Sequence, residues 1–161
     1  MVPVHELLTD EETDKVLKRL KITRDQLPKI KDSDAAIKTL KAANGGAGIS
    51  DLVLDLRYNG GGLLDIASEL AYMVAGAGAT TGKAFEKSTF NDKNPFRLSA
   101  ADTTIPFHAV AQGFSTTQGE ALPQLGLRRV FVITGKGTCS ASESVINGLA
   151  GAGVEVILIG D

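Results

Sequence analysis

Residues Thr134–Leu149 read TGKGTCSASESVINGL, and a β-branched apolar run, Val130-Phe131-Val132-Ile133-Thr134, leads into them. The run has the composition of a buried strand. Gly135 and Gly137 then permit a sharp turn. Small hydroxyl and thiol residues follow: Thr138, Cys139, Ser140 and Ser142. Val145, Ile146 and Leu149 fall at helical spacing, with Gly148 and Gly151 towards the helix end. Strand, glycine turn, small nucleophile and helix together put a hydroxyl at a helix N-terminus. Backbone N–H groups are unpaired there, and the dipole favours negative charge. Acyl transfer needs such a place for its oxyanion. A second reading of the same residues is purely structural. A serine before a helix serves as an N-cap, and Ser140 with Glu143 fits a capping box.

The same pattern occurs earlier in the chain. Leu52-Val53-Leu54-Asp55-Leu56-Arg57 is nearly continuous in apolar residues, as a parallel strand covered on both faces should be. Asp55 and Arg57 lie two apart, on one strand face, and are expected to pair. Tyr58-Asn59-Gly60-Gly61-Gly62 is a turn, and Leu63–Ala75 carries Leu64, Ala67, Leu70, Ala71 and Val74 on one helical side. Val154–Gly160, VEVILIG, reads as a third buried strand. Repeated strand–glycine–helix units predict an α/β fold, a mainly parallel sheet built from βαβ units. Two glycine turns at the carboxyl ends of two parallel strands can then face one another across a crevice. One supplies a backbone N–H, the other a hydroxyl and a second N–H.

DLVLDLRYNGGGLLDIASELAYMVAG and TGKGTCSASESVINGLAGAGVEVILIG resemble the C-terminal processing peptidases, or tail-specific serine proteases, with tricorn protease as a more distant relative. The resemblance covers residues 49–161, including FNDKNPF and GEALPQL in the less regular Phe85–Leu125 excursion. It implies a core like that of Clp-type proteases and crotonases, and cleavage of peptide or protein substrates by a Ser–Lys dyad. Ser140 takes the place of the nucleophile. The oxyanion donors are the N–H groups of Ala141 and of the Gly60–Gly62 turn, with Gly61 the expected donor. Ser142 and Glu143 orient the helix. Cys139 stands next to the nucleophile and is either a competing thiol or a small packed residue. In the family the base is a lysine in a Gly-Lys context after the strand that follows the nucleophile helix. The sequence runs to Ile159-Gly160-Asp161, short of that position, and Ala141–Asp161 contains no Lys, Arg or His. Lys136, His108, Lys83, Lys87 and Lys93 are the remaining candidates. The expectation is a truncated peptidase core, inactive or very slow, that an added Gly-Lys segment restores.

The chain has 161 residues, a formal net charge of −2, one cysteine and no tryptophan. A near-neutral balance gives no electrostatic case for nucleic acid or a membrane surface. A single cysteine excludes an intramolecular disulfide. No run is apolar and long enough to span a bilayer, and MVPVHELLTDEE lacks the features of a signal peptide, so a cytoplasmic location is expected. No metal or other cofactor is expected.

Before Lys41 the composition changes: charged, glycine-poor and helical in pattern. Thr9 and Glu12 form a capping box, Val16, Leu17 and Leu20 share a face, Pro28 stops a second short segment, and Asp32 or Ser33 caps a third helix carrying Ile37 and Leu40. VPVHELLT (residues 2–9), LKIT (20–23), QLPKI (26–30) and Ser33-Asp34 resemble about half of the assembly domain found in a small archaeal RNA polymerase component, the H-type polypeptide, and in its eukaryotic counterpart. The resemblance implies RNA polymerase subunits as partners. The basic β-hairpin that completes that domain is replaced by KAANGGAG at 41–48, read as a Gly/Ala linker. Three regions are therefore expected: a helical segment at 1–40 packing separately or loosely, the linker 41–48, and the peptidase core 49–161. The alternatives to a peptidase are a non-enzymatic polymerase assembly module and a chimeric fragment without function.

Overall fold

The computed structural model describes residues 33–93, 98–99, 101–113 and 117–160. The helices expected between residues 9 and 31 lie outside this set. In chain order the elements are α1 (Ser33–Ala42), β1 (Val53–Asp55), α2 (Leu64–Ala75), the single turn α3 (Ala77–Thr80), β2 (Ala84–Lys87), β3 (Thr104–Pro106), β4 (Arg129–Thr134), α4 (Ala141–Ala152) and β5 (Glu155–Gly160). β1, β4 and β5 form one parallel sheet in the order β1-β4-β5. This is the predicted α/β arrangement, with the three expected strands hydrogen-bonded side by side. β1 is shorter than the apolar run Leu52–Arg57. Its ladder nevertheless reaches one residue further at each end, through Phe131 N–H to the Leu52 carbonyl and Leu56 N–H to the Ile133 carbonyl.

Alternation along the strands explains the core. Leu52, Leu54 and Leu56 share a face with Val130, Val132 and Val156, and this face packs on α2 through Ala67, Ala71 and Val74 and on α4 through Val145 and Leu149. On the opposite face Val53, Ile133 and Ile159 are also buried. Burial on both faces is why these strands read as continuous apolar runs rather than alternating ones. Across one register row, Leu54 is 4% exposed, Val132 0% and Leu158 54%, so burial falls away at the β5 edge.

The excursion between α3 and β4 contains the antiparallel pair β2–β3, which the sequence pattern did not reveal. Phe85 of β2 makes an edge-to-face contact with Phe107 at 5.5 Å. Its ring also lies on Gly148 in the middle of α4, where an added Cβ would stand 2.5 Å from the ring carbons. Gly148 is therefore inside the helix as a packing residue, and α4 runs on to Ala152 before Gly153, at φ 93°, caps it. Gly148→Ala is expected to lower stability by about 1–3 kcal/mol through overpacking against a ring that cannot yield. Urea unfolding checks this, and an unchanged midpoint would contradict it.

Helix α1 and residues 41–48 differ from the sequence reading. Lys41 and Ala42 finish α1. Asn44, Gly45 and Gly46 then form a tight turn with φ of 53°, 68° and 93°, closed by Asn44 Nδ2 donating to the Gly48 carbonyl at 2.7 Å. Asparagine and glycine tolerate this left-handed backbone, so the same composition that suggested a linker builds an ordered reversal. Nor does α1 stand apart. Ile37, 3% exposed, packs with Tyr72, Met73, Ala111 and Leu122. Lys38 bridges its own helix to the excursion, 2.6 Å from Asp34 and 3.6 Å from Glu120. The hydrogen bond to Asp34 holds the Lys38 ammonium above its ordinary range. Ile37→Ala is expected to cost about 2 kcal/mol, as for other buried aliphatic truncations. A loosely attached helix would give close to zero in the same unfolding measurement.

Candidate active site

The carboxyl end of β4 leads into Gly135–Cys139, a turn stitched to the carboxyl end of β1. Thr138 Oγ1 donates to the Leu56 carbonyl at 2.7 Å and accepts from Gly135 N–H at 3.0 Å. Gly135 lies on the Arg57 backbone, where an added Cβ would stand 3.4 Å from the Arg57 carbonyl oxygen, at van der Waals contact. Beneath them Arg57 grips Asp55 through both carboxylate oxygens, at 2.7 Å to Oδ2 and 3.0 Å to Oδ1. The expected Asp55–Arg57 pair is thus a bidentate brace on the strand end.

Ser140 follows at the N-cap of α4, with φ 58° and ψ −124°. A positive φ is strained for a residue with a Cβ, and such outliers persist where surrounding structure enforces them. Here the enforcing contacts are visible. Glu143 accepts from the Ser140 N–H at 2.8 Å, and the Ser140 carbonyl receives the N–H groups of Glu143 and Ser144 at 2.9 and 3.0 Å. Ser142 Oγ, buried, donates to the Asn59 carbonyl at 3.0 Å. Glu143 and Ser142 are thus both hydrogen-bonded at the helix start, while Ser140 itself is exposed.

The two glycine turns meet. An added Cβ on Gly61 would stand 2.7 Å from Ser140 Cβ and 3.1 Å from Ser140 Oγ. Only glycine admits this approach, and Gly61 also has φ 114°. The Ala141 N–H, at the first position of α4, has no partner among the described residues. The Gly61 N–H is donated to Asn59 Oδ1 at 3.0 Å. Gly60 is exposed beside the Gly137 carbonyl, and Gly62 has open space around it. An open groove of about 260 Å³ adjoins the site on the Glu143 side, walled by Ile146, Asn147, Leu158 and Thr134 rather than by Ser140 and Gly61 themselves.

The candidate bases are dispersed. Lys83 Nζ donates to the Ala152 carbonyl at 2.7 Å and so caps the far end of α4 from Ser140. His108 Nε2 lies 2.9 Å from Asp65 Oδ1, and its backbone N–H is held by Ser68 Oγ at 2.9 Å. Lys136 is exposed on the turn before Ser140, and Lys87 is exposed at the end of β2. No described lysine or histidine hydrogen-bonds Ser140. Cys139 is an exposed free thiol. No group of three or more His, Cys, Asp or Glu residues capable of holding a metal occurs among the described residues.

Two comparisons bear on the two parts of the chain. A crystal structure described as an S41 protease, from Bacteroides fragilis NCTC 9343, matches with a TM-score of 0.55 and 30% identity, over 78% of this chain and 28% of that chain. The fold is similar to that of an S41 protease. The peptidase resemblance carried by DLRYNGGG and SASE therefore has a solved protease as its structural counterpart. At the other end, residues 1–47 match the family model for RNA polymerase Rpb5, C-terminal domain. The DNA-directed RNA polymerase subunit Rpo5 of Pyrococcus horikoshii, of Thermococcus celer and of Pyrococcus abyssi are each 47% identical over 45 residues. That match covers 28% of this chain and 55% of each relative, so the chain spans about half the length of the curated relatives it resembles.

Asn59 and Thr138 were absent from the site expected on sequence grounds. Asn59 carries a recognisable signal, since Asn followed by glycines favours a side-chain bond to the backbone two residues on. Thr138 carries none, because its partner Leu56 belongs to a different strand end.

Proposed function

We propose that this chain carries the nucleophile and oxyanion centre of a serine-type peptidase, with Ser140 as nucleophile. The observation that supports the reading most is the strained Ser140 at a helix N-terminus, pressed against Gly61 of a second glycine turn. In the reaction, Ser140 Oγ adds to the carbonyl carbon of a peptide bond and its proton passes to a base. The tetrahedral oxyanion is received by the N–H groups of Ala141 and Gly61. The C–N bond then breaks, the proton goes to the departing amine, and water hydrolyses the acyl-serine. With no base hydrogen-bonded to Ser140 among the described residues, the step is slower by about 10²–10⁴-fold than in a base-assisted site. Residual turnover comes from the oxyanion centre alone. The test is covalent labelling by a fluorophosphonate probe, located by peptide mass spectrometry. Label on Ser140 supports the reading, and its absence under forcing exposure removes it.

A second reading rests on the match of residues 1–47 to an RNA polymerase subunit domain. In it, the N-terminal segment docks on polymerase subunits. Co-purification of residues 1–47 with archaeal polymerase subunits tests it, and no retention at micromolar concentration counts against it.

A further inference from the structure

We infer that the side chain of Asn59 gates the oxyanion centre by holding the Gly61 N–H until an oxyanion displaces it; this rests on the peptidase reading above. The two expected donors are in different states. The Ala141 N–H is unpartnered among the described residues, whereas the Gly61 N–H is already given to Asn59 Oδ1 at 3.0 Å. An amide cannot serve an incoming oxyanion fully while it is engaged elsewhere. Either the Gly61 peptide moves or the Asn59 side chain leaves.

The backbone around Asn59 is the fixed part. Its N–H donates to the Leu56 carbonyl at 3.1 Å. Its carbonyl accepts from Ser142 Oγ at 3.0 Å and from Cys139 N–H at 3.4 Å, tying the glycine turn to the serine turn. Gly61 is fixed too, because Ser140 leaves no room beside it. The Asn59 side chain is the movable part: it is exposed, and the bond to Gly61 is the contact its Oδ1 makes. Exposed rotamers exchange in picoseconds to nanoseconds, so the gate opens without slowing catalysis kinetically. Its effect is thermodynamic, because the oxyanion must replace a neutral hydrogen bond. The replacement is favourable, since a charged acceptor bonds more strongly than an amide oxygen.

Fluorophosphonate labelling rates of the full chain with Asn59→Ala and Asn59→Asp test this. Removing the gate in Asn59→Ala should speed labelling about three- to tenfold, the worth of one exposed neutral bond. Asn59→Asp should label more slowly than the parent, because a carboxylate holds the amide more firmly and repels the developing negative charge. A purely structural Asn59 would slow both variants, and that result overturns the gate. Amide hydrogen exchange provides a readout without chemistry. Exchange at Gly61 should accelerate in Asn59→Ala, while Asn59 and Cys139 N–H exchange stays unchanged. If no variant takes the probe, the peptidase reading is what fails. The exchange rate at Gly61 then decides the lock, and an unchanged rate overturns it.

Discussion

Ser140→Ala is expected to abolish fluorophosphonate labelling, while Cys139→Ala retains most of it. The two side chains are sequence neighbours, and both are exposed. Their settings differ. Ser140 carries the positive φ and the contact with Gly61, and it is followed directly by the Ala141 N–H, unpartnered among the described residues. Cys139 lies one residue earlier, where its N–H and carbonyl are spent on Asn59 and on the Ser142 N–H. A thiol near a helix N-terminus gains some thiolate character. Sulfur labelling is therefore the specific competitor, and iodoacetamide blocking before the probe separates the two. Label that survives Ser140→Ala and disappears with Cys139→Ala would reverse the assignment. Because no described base is hydrogen-bonded to Ser140, labelling should be slow and should need hours rather than minutes.

Gly61→Ala keeps the backbone N–H but displaces it together with Ser140, and is expected to cost about 10²–10³-fold in labelling rate, as much as losing one oxyanion donor. Two effects act together. The new Cβ would meet Ser140 Cβ at 2.7 Å and Oγ at 3.1 Å, so the nucleophile must shift. The backbone at φ 114° is also one that L-residues with a side chain rarely adopt. Gly62→Ala is the control for the contact with Ser140: nothing stands within 4 Å of a Cβ there, while φ 159° makes it share the backbone strain of a positive-φ substitution. A large loss at Gly62 with little at Gly61 would mean that the turn presents a different amide from the one proposed. Thermal unfolding of both variants keeps loss of fold apart from loss of site. The Gly61 change should lower stability by about 1–3 kcal/mol through backbone strain.

The three sheet strands and the two helices behind the glycine turns were legible because their signals are local. Burial on both faces demands a run such as Val130–Thr134, and a helix that packs on one side repeats its apolar residues at Ala67, Ala71 and Val74. The candidate site was legible as two turns able to face one another, since spacing along a chain says that Gly61 and Ser140 each sit after a strand. It does not say that β1 and β4 are neighbours, and the adjacency of those strands is what brings Gly61 onto Ser140. The hairpin β2–β3 was hidden because its strands are short and held by Phe85 and Phe107 packing rather than by alternation. The docking of Ile37 and the pairing of His108 with Asp65 were equally out of reach, each depending on partners far along the chain. Sequence by itself determined which residues turn, which strands are buried and which hydroxyl stands before a helix, because backbone sterics and burial act within a few residues. The tertiary structure alone decided that Ser140 is strained and that Gly61 must be glycine for want of space. Those are consequences of two strand ends being brought within van der Waals contact.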